Sequence, residues 1–298
     1  MRRPPSAITF YKYPVTAGTI LLAIAVTLAW WGKVDISPAL ENVQIRRGEL
    51  WRLLTSALPH AGILHLVFNA YWIWAFGTLV EEIYGPWKTF GIFLLLAAAA
   101  NGAEYALLDG GVGLSGVGYG LFAMIWALSS RDQRFAGAVD SQTALLFVGW
   151  FFFCIFLTSA GTPIANVAHC AGAVFGALLG WTVSASGGRR VGLVAVMGAV
   201  FVAILLGDTL GRPWINLAKD RGDEEASLGY DDLMANRNDE AAKWLRDATI
   251  MNSHNAGTWF NLGIAYGRLA RPQDALSAYR RAVVLEPDNS TYKDAAAR

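Results

Sequence analysis

Few side chains in this chain are placed to do chemistry, and those few cluster by type. Ser115 lies in Gly113-Leu114-Ser115-Gly116, a Gly-rich turn between two stretches apolar enough to cross a membrane. His60, His65 and Asn69 share one hydrophobic segment and His169 lies on another, while the fourth histidine, His254, falls in a polar region. Imidazole is costly inside a bilayer and is retained there for a reason. Serine beside a buried histidine is the minimal set for nucleophilic hydrolysis: imidazole takes the hydroxyl proton, the oxygen attacks a carbonyl, and imidazole returns the proton to the leaving amine. No acidic residue adjoins His169, so the pattern reads as a Ser115–His169 dyad. Tyr119, four residues after Ser115, is a ring against which the imidazole can pack. His65 and Asn69, four apart, project from one helix face and can both donate to a developing oxyanion, as can the Ser115 backbone N–H at a helix start. His60 reads as structural or supporting. Arg52, beside Trp51, reads as bonding loop carbonyls, and Glu81, beside Glu82, as satisfying a neighbouring helix terminus. Singly, each has a commoner role: asparagine as an interhelical bond, histidine as a packed ring, glycine as a helix contact, charge as an interfacial group.

Elements must position these groups. The chain has 298 residues, 54% hydrophobic, with positive mean hydropathy. About half of its 24 basic and 23 acidic side chains fall after residue 218. The first part therefore reads as membrane and the last as a small soluble module. Seven stretches approach the ~20 apolar residues that a spanning helix needs: 14–32, 59–80, 88–108, 115–130, 142–161, 165–185 and 191–211. Backbone in lipid must bond internally, so these are helices. Arg2, Arg3, Lys12, Lys88, Arg131, Arg134, Arg189 and Arg190 share one side, which the positive-inside tendency makes cytoplasmic. The long loop 33–58 then lies outside and packs partly into the outer leaflet. No small-residue cleavage site follows the first apolar run, so that run is expected to be retained as a helix.

Depth brings the groups to one level. Counted from Pro59 and Pro163, His65 and His169 each lie roughly 9 Å below their helix starts. Helix 115–129 is about 22 Å long, too short for a core of about 30 Å, so its start and the preceding Asp109–Gly113 dip inward. Gly116 and Gly120 on that helix, with Gly172, Gly176 and Gly180 on the helix of His169, form small-xxx-small faces that let two backbones approach.

The tail is a repeat. Residues 256–289 carry Trp259, Leu262, Gly263, Tyr266, Ala275, Tyr279, Ala282 and Pro287 at tetratricopeptide positions, and a weaker copy lies 34 residues earlier. The expected division is a cytoplasmic segment 1–13, a six-helix membrane domain 14–185, a seventh transmembrane helix 186–215 and a repeat module 216–298. Net charge of +1 gives no reason to expect nucleic acid, and Cys154 and Cys170 have no metal or disulfide spacing. No cofactor and no metal are expected.

Together, Trp51-Arg52, His60-x4-His65-x3-Asn69, Gly113-Leu114-Ser115-Gly116 and Ala168-His169-x2-Gly172-x3-Gly176 resemble the rhomboid intramembrane serine proteases over about residues 14–185. The resemblance implies an all-α polytopic bundle of six helices and a Ser115–His169 dyad. It implies an oxyanion site from His65, Asn69 and the Ser115 amide. His60, Tyr119, Gly113, Gly116, Arg52 and Glu81 are expected to support the site. It also implies transmembrane helices as substrates, cut near their outer end. A seventh helix and the tetratricopeptide module extend this plan. Expected partners are the lipid bilayer, transmembrane protein substrates and a protein partner of the module. The expected location is a bacterial inner membrane, with the N-terminus cytoplasmic and the module outside. The rivals are a non-catalytic adaptor that binds transmembrane helices and recruits partners through the module, and a transporter relaying protons through histidine. The latter would want intramembrane carboxylates, whereas Glu104 and Asp109 read as near a helix end.

Overall fold

The computed structural model describes residues 4–297, so Arg2 and Arg3, used above for orientation, lie outside the described residues. Among the described residues every regular element is helical. The chain divides into two compact units between Thr209 and Leu210.

The first unit is an integral membrane bundle. Its helices are α1 (Pro14–Trp31), the single turn α2 (Arg52–Thr55), α3 (Ile63–Tyr84) and α4 (Pro86–Leu107). There follow α5 (Ser115–Ser129), α6 (Ser141–Ser159), α7 (Asn166–Ser184) and α8 (Gly187–Leu206). All but α2 and α5 are long and apolar enough to cross a membrane. α5 stops at 15 residues and runs through the middle of the bundle, buried at almost every position from Gly116 to Ile125. It shares one hydrophobic core with Phe76, Leu96 and Phe175. Leu and Phe side chains on outward faces, such as Leu64, Leu145, Phe152 and Phe156, remain exposed as lipid contact requires.

Between lipid-soaked helices, burial gives little drive, so close backbone packing has to hold the bundle. A Cβ added at Gly172 or Gly176 would run into the carbonyl oxygen of Gly116 or Gly120, and one at Gly180 would lie 2.7 Å from the Met124 oxygen. The backbones of α5 and α7 therefore touch along three helical turns.

The helix starts differ from the sequence reading. α3 begins at Ile63 rather than residue 59, because the His60 N–H is held by the Thr27 hydroxyl (3.1 Å) and Gly62 is extended. His65 is thus the third residue of α3 and His169 the fourth of α7. At 1.5 Å per residue this is about 3–5 Å of helix, not 9 Å.

The second unit holds the short α9 (Arg212–Ile215), then α10 (Asp223–Met234), α11 (Asn238–Met251), α12 (Ala256–Arg268), α13 (Pro272–Leu285) and α14 (Ser290–Ala297). α10–α11 and α12–α13 form successive helical hairpins around Leu233, Ala241, Leu245, Leu262 and Ala278. Asn236 and Ala270, at equivalent turns, adopt left-handed φ of +59° and +57° that end α10 and α12. Gly229 and Gly263 are equally placed: Cβ atoms there would strike Leu245 and Tyr279.

Candidate active site

Ser115 opens α5 after a loop that only glycine permits. Gly110 and Gly113 adopt φ of +86° and +108°, and a Cβ on Gly113 would lie 2.6 Å from His65 Cε1. The loop is tied down twice. Gly113 N–H donates to the Ser56 oxygen (3.2 Å), and Leu114 N–H donates to His60 Nε2 (3.3 Å). Because Nε2 accepts, the His60 proton belongs on Nδ1, which lies 2.9 Å from the Leu58 oxygen. His60 is fully buried, stands edge-on to His65 at 4.8 Å, and its own carbonyl accepts from the Trp31 indole (3.2 Å). His60 therefore fastens α1 to the loop before Ser115.

His169 Nε2 lies 2.8 Å from Ser115 Oγ. The imidazole stacks on Tyr119 at 4.7 Å and 28°, and the Tyr119 hydroxyl donates to the Phe147 carbonyl of α6 (3.1 Å). Among the described residues His169 Nδ1 is buried without a partner, so no carboxylate completes a triad. Asn69, one turn below His65 on α3, is buried, and its Nδ2 has no acceptor among the described residues. A buried, unspent amide donor of this kind is suited to a charge that appears only during reaction. Gly116 provides the close approach: a Cβ there would sit 2.6 Å from Ala100 Cβ.

The charged candidates hold scaffolding. Arg52 is buried, donates through Nη1 to the Ser37 and Leu40 carbonyls (2.7 and 2.8 Å), and pairs with Glu49, so it pins the long first loop. Glu81 accepts from the Val15 and Thr16 amides (2.9 and 2.8 Å), capping the start of α1. Both lie away from the hydroxyl–imidazole pair in role. His254 is exposed in the second unit.

Two polar residues, Asn101 and Glu41, escaped the sequence reading, and a third, Glu104, was read only as lying near a helix end. Glu104, on α4, is buried, and its Oε2 accepts from the Ala168 N–H (2.8 Å), capping the turn of α7 that carries His169. Asn101 donates to the Leu53 carbonyl (2.9 Å) and the Ser56 hydroxyl (3.0 Å). A usable signal existed: two polar residues three apart in an apolar helix share a face and need partners. Glu41, in the long loop, accepts from the Gly111 N–H at 2.8 Å. Burial, reinforced by the nearby Asp208 and Glu104 carboxylates, pushes the Glu41 carboxyl well above the usual glutamate range. Nothing in the sequence marks Glu41 out from other loop acids.

Comparison with known proteins finds two families along the chain. Residues 47–186 match the Rhomboid domain family and residues 256–289 the Tetratricopeptide repeat family. The rhomboid protease GlpG of Photorhabdus laumondii is 34% identical over 138 residues, covering 44% of this chain and 46% of that protein. Its namesake in Serratia proteamaculans is 30% identical over 178 residues, covering 56% and 61%. That of Pectobacterium atrosepticum is 32% identical over 134 residues, covering 44% and 48%. The chain thus spans about half the length of the relatives it matches. The matched segment contains Arg52, His60, His65, Asn69, Ser115, Tyr119 and His169. Over residues 47–186 the chain is a rhomboid domain embedded in a helical membrane bundle, and a tetratricopeptide repeat follows it.

Proposed function

We propose that the chain is an intramembrane serine endopeptidase whose nucleophile is Ser115 and whose general base is His169. The observation that carries this is the 2.8 Å approach of His169 Nε2 to Ser115 Oγ at a protein-buried helix start. In this reading Ser115 Oγ attacks the scissile carbonyl carbon while its proton passes to His169 Nε2. The oxyanion receives hydrogen bonds from Asn69 Nδ2, His65 and the Ser115 N–H. Collapse breaks the C–N bond, and His169 gives its proton to the departing amine. Water, deprotonated by the same imidazole, then attacks the acyl-serine and releases the acid. His60, Gly113 and Gly116 shape the loop and its approach, Tyr119 orients the imidazole, and Arg52 and Glu81 hold the first loop and α1.

Substrates in this reading are transmembrane helices cut near the outer membrane face. A peptide bond inside a helix is shielded, so helices weakened by Gly or Pro are preferred. The printed names of the relatives, rhomboid proteases, support the activity. The proposed division is 1–13 cytoplasmic, 14–185 catalytic membrane domain, 186–215 seventh transmembrane helix and 216–298 a module that binds a protein partner. The proposed membrane is a bacterial inner one, with the module outside.

The test is cleavage of a generic transmembrane substrate by purified protein in detergent, wild type beside Ser115→Ala. Cleavage by wild type alone is expected. Cleavage by both would assign the activity to another nucleophile or a contaminant. Cleavage by neither, with both folded, would favour a non-catalytic adaptor.

A further inference from the structure

A cavity of about 540 Å³ opens between α5, α6 and α7. It exists because alanines stand where larger side chains would fill the space: Ala123 and Ala127 on α5, Ala173 and Ala177 on α7, facing Phe147 and Phe151 of α6. Of α6 only Thr143, Phe147 and Cys154 are buried, so this helix leaves the space unclosed on the lipid side. Water has no polar partners along such a lining. Hydrocarbon does not need them.

The dimensions select the occupant. From Tyr119 at one end to Arg131 at the other, the groove follows twelve residues of α5, about 18 Å, a little more than one leaflet of a ~30 Å core. A single extended acyl chain can run this length against a lining that is almost wholly apolar.

Charge selects the headgroup. Arg131 lines the open end. Its Nη1 donates to the Ala127 carbonyl (2.8 Å) and the Ser130 hydroxyl (3.3 Å), and no carboxylate pairs with it among the described residues. Its neighbour Arg134 is consumed by Asp132 at 2.7 Å. The other Arg131 donors make no bond to a carboxylate among the described residues, and a guanidinium offers the fork geometry that suits phosphate. Trp126 and Trp181, half-exposed beside it, belong where an interfacial aromatic belt lies.

We propose that this groove holds one acyl chain of an anionic phospholipid from the leaflet on the Arg131 side, its phosphate on the Arg131 guanidinium. The chain would pack against the Tyr119 ring that stacks on His169 and the Phe147 segment that accepts the Tyr119 hydroxyl. Lipid in the groove thus braces α6 against the imidazole. This last link rests on the catalytic reading above, whereas the binding itself does not.

The test uses the full chain in nanodiscs of phosphatidylcholine and phosphatidylglycerol, followed by native mass spectrometry of the lipid retained on transfer to detergent. One phosphatidylglycerol is expected to stay with the wild type in preference to phosphatidylcholine. Arg131→Gln should cut that retention about tenfold, and Ala177→Phe, which fills the groove, should abolish retention of either lipid. Equal retention of the two lipids by wild type, or unchanged retention in both variants, would overturn the proposal. Labelling of Cys170, a free thiol that lines the same groove, gives a reading that needs no variant. Its reaction with a membrane-permeant maleimide should slow several-fold in phosphatidylglycerol nanodiscs relative to neutral ones, and an equal rate would count against occupancy. Cleavage of the generic substrate should fall several-fold in neutral nanodiscs. If the wild type cleaves nothing in either lipid while phosphatidylglycerol is retained, the catalytic reading fails and the lipid site stands.

Discussion

His169 has the Ser115 hydroxyl at Nε2 and nothing at Nδ1 among the described residues. In the proposed mechanism a histidine so placed accepts the serine proton without a carboxylate to compensate the imidazolium, and the Tyr119 face stacked on it is the nearest source of compensation, worth about 0.5–2 kcal/mol for a cation over a ring. The oxyanion is then the step that most needs the protein. Asn69→Ala is expected to lower kcat by about 100- to 1000-fold with KM little changed, since one lost oxyanion donor typically costs that much. Steady-state cleavage kinetics decide it, and a full-rate variant would remove Asn69 from the site. Glu41 gives a second expectation, in stability. Its folded pKa lies above its unfolded one, so the folded state binds the proton more tightly. The stability so gained is complete below the ordinary glutamate range and is lost as pH rises through the folded value. Glu41→Gln stays neutral throughout and should flatten the alkaline fall of Tm; parallel Tm–pH curves for the two proteins would refute the assignment. At this scale the sequence was informative about Ser115, His65, Asn69 and His169, because a polar side chain in an apolar run stands out. It was silent about Glu41, whose loop neighbours are also charged and whose burial depends on the fold of that loop.

Among elements, α5 and α7 matter most, since each carries one member of the proposed dyad and their backbones are in contact at Gly116–Gly172 and Gly120–Gly176. That contact was legible from the four-residue glycine spacing. Where α7 begins was not, because nothing local between Pro163 and Asn166 shows that a carboxylate from α4 caps it. Glu104 supplies that cap through the Ala168 amide. Losing a cap costs about 0.5–2 kcal/mol, and here the freed turn is the one that aims His169. Glu104→Ala should therefore reduce kcat at least tenfold while leaving KM within twofold, and Glu104→Gln, which keeps an oxygen acceptor, should recover most of the rate. Glutamine behaving like alanine would mean that Glu104 does more than accept from Ala168. The sequence reading placed Glu104 near a helix end and stopped there; the end it serves belongs to a different helix.

For the whole molecule, the order of membrane bundle followed by repeats was readable from hydropathy and from the 34-residue period, both of which survive without knowledge of any contact. The structural division between Thr209 and Leu210 falls inside the stretch 186–215 that the apolar pattern had treated as one. Periodicity cannot see it, because apolar residues continue past the last full turn of α8. If the repeats select or recruit a partner, removal of residues 216–298 should leave cleavage of a generic substrate within a few-fold of wild type. Complete loss in a deletion variant that still folds would give the module a part in the chemistry.

The recognisable segment begins at residue 47, but the site does not. Thr27 and Trp31, both on α1, hold the backbone of His60, and His60 in turn holds the amide of Leu114, just before Ser115. Glu81 anchors the far end of the same helix. Homology therefore outlines a smaller piece than the one that works. On the proposed reading, the smallest unit that can be excised, grafted or compared starts with the first transmembrane helix, whose own sequence carries none of the groups assigned to the reaction.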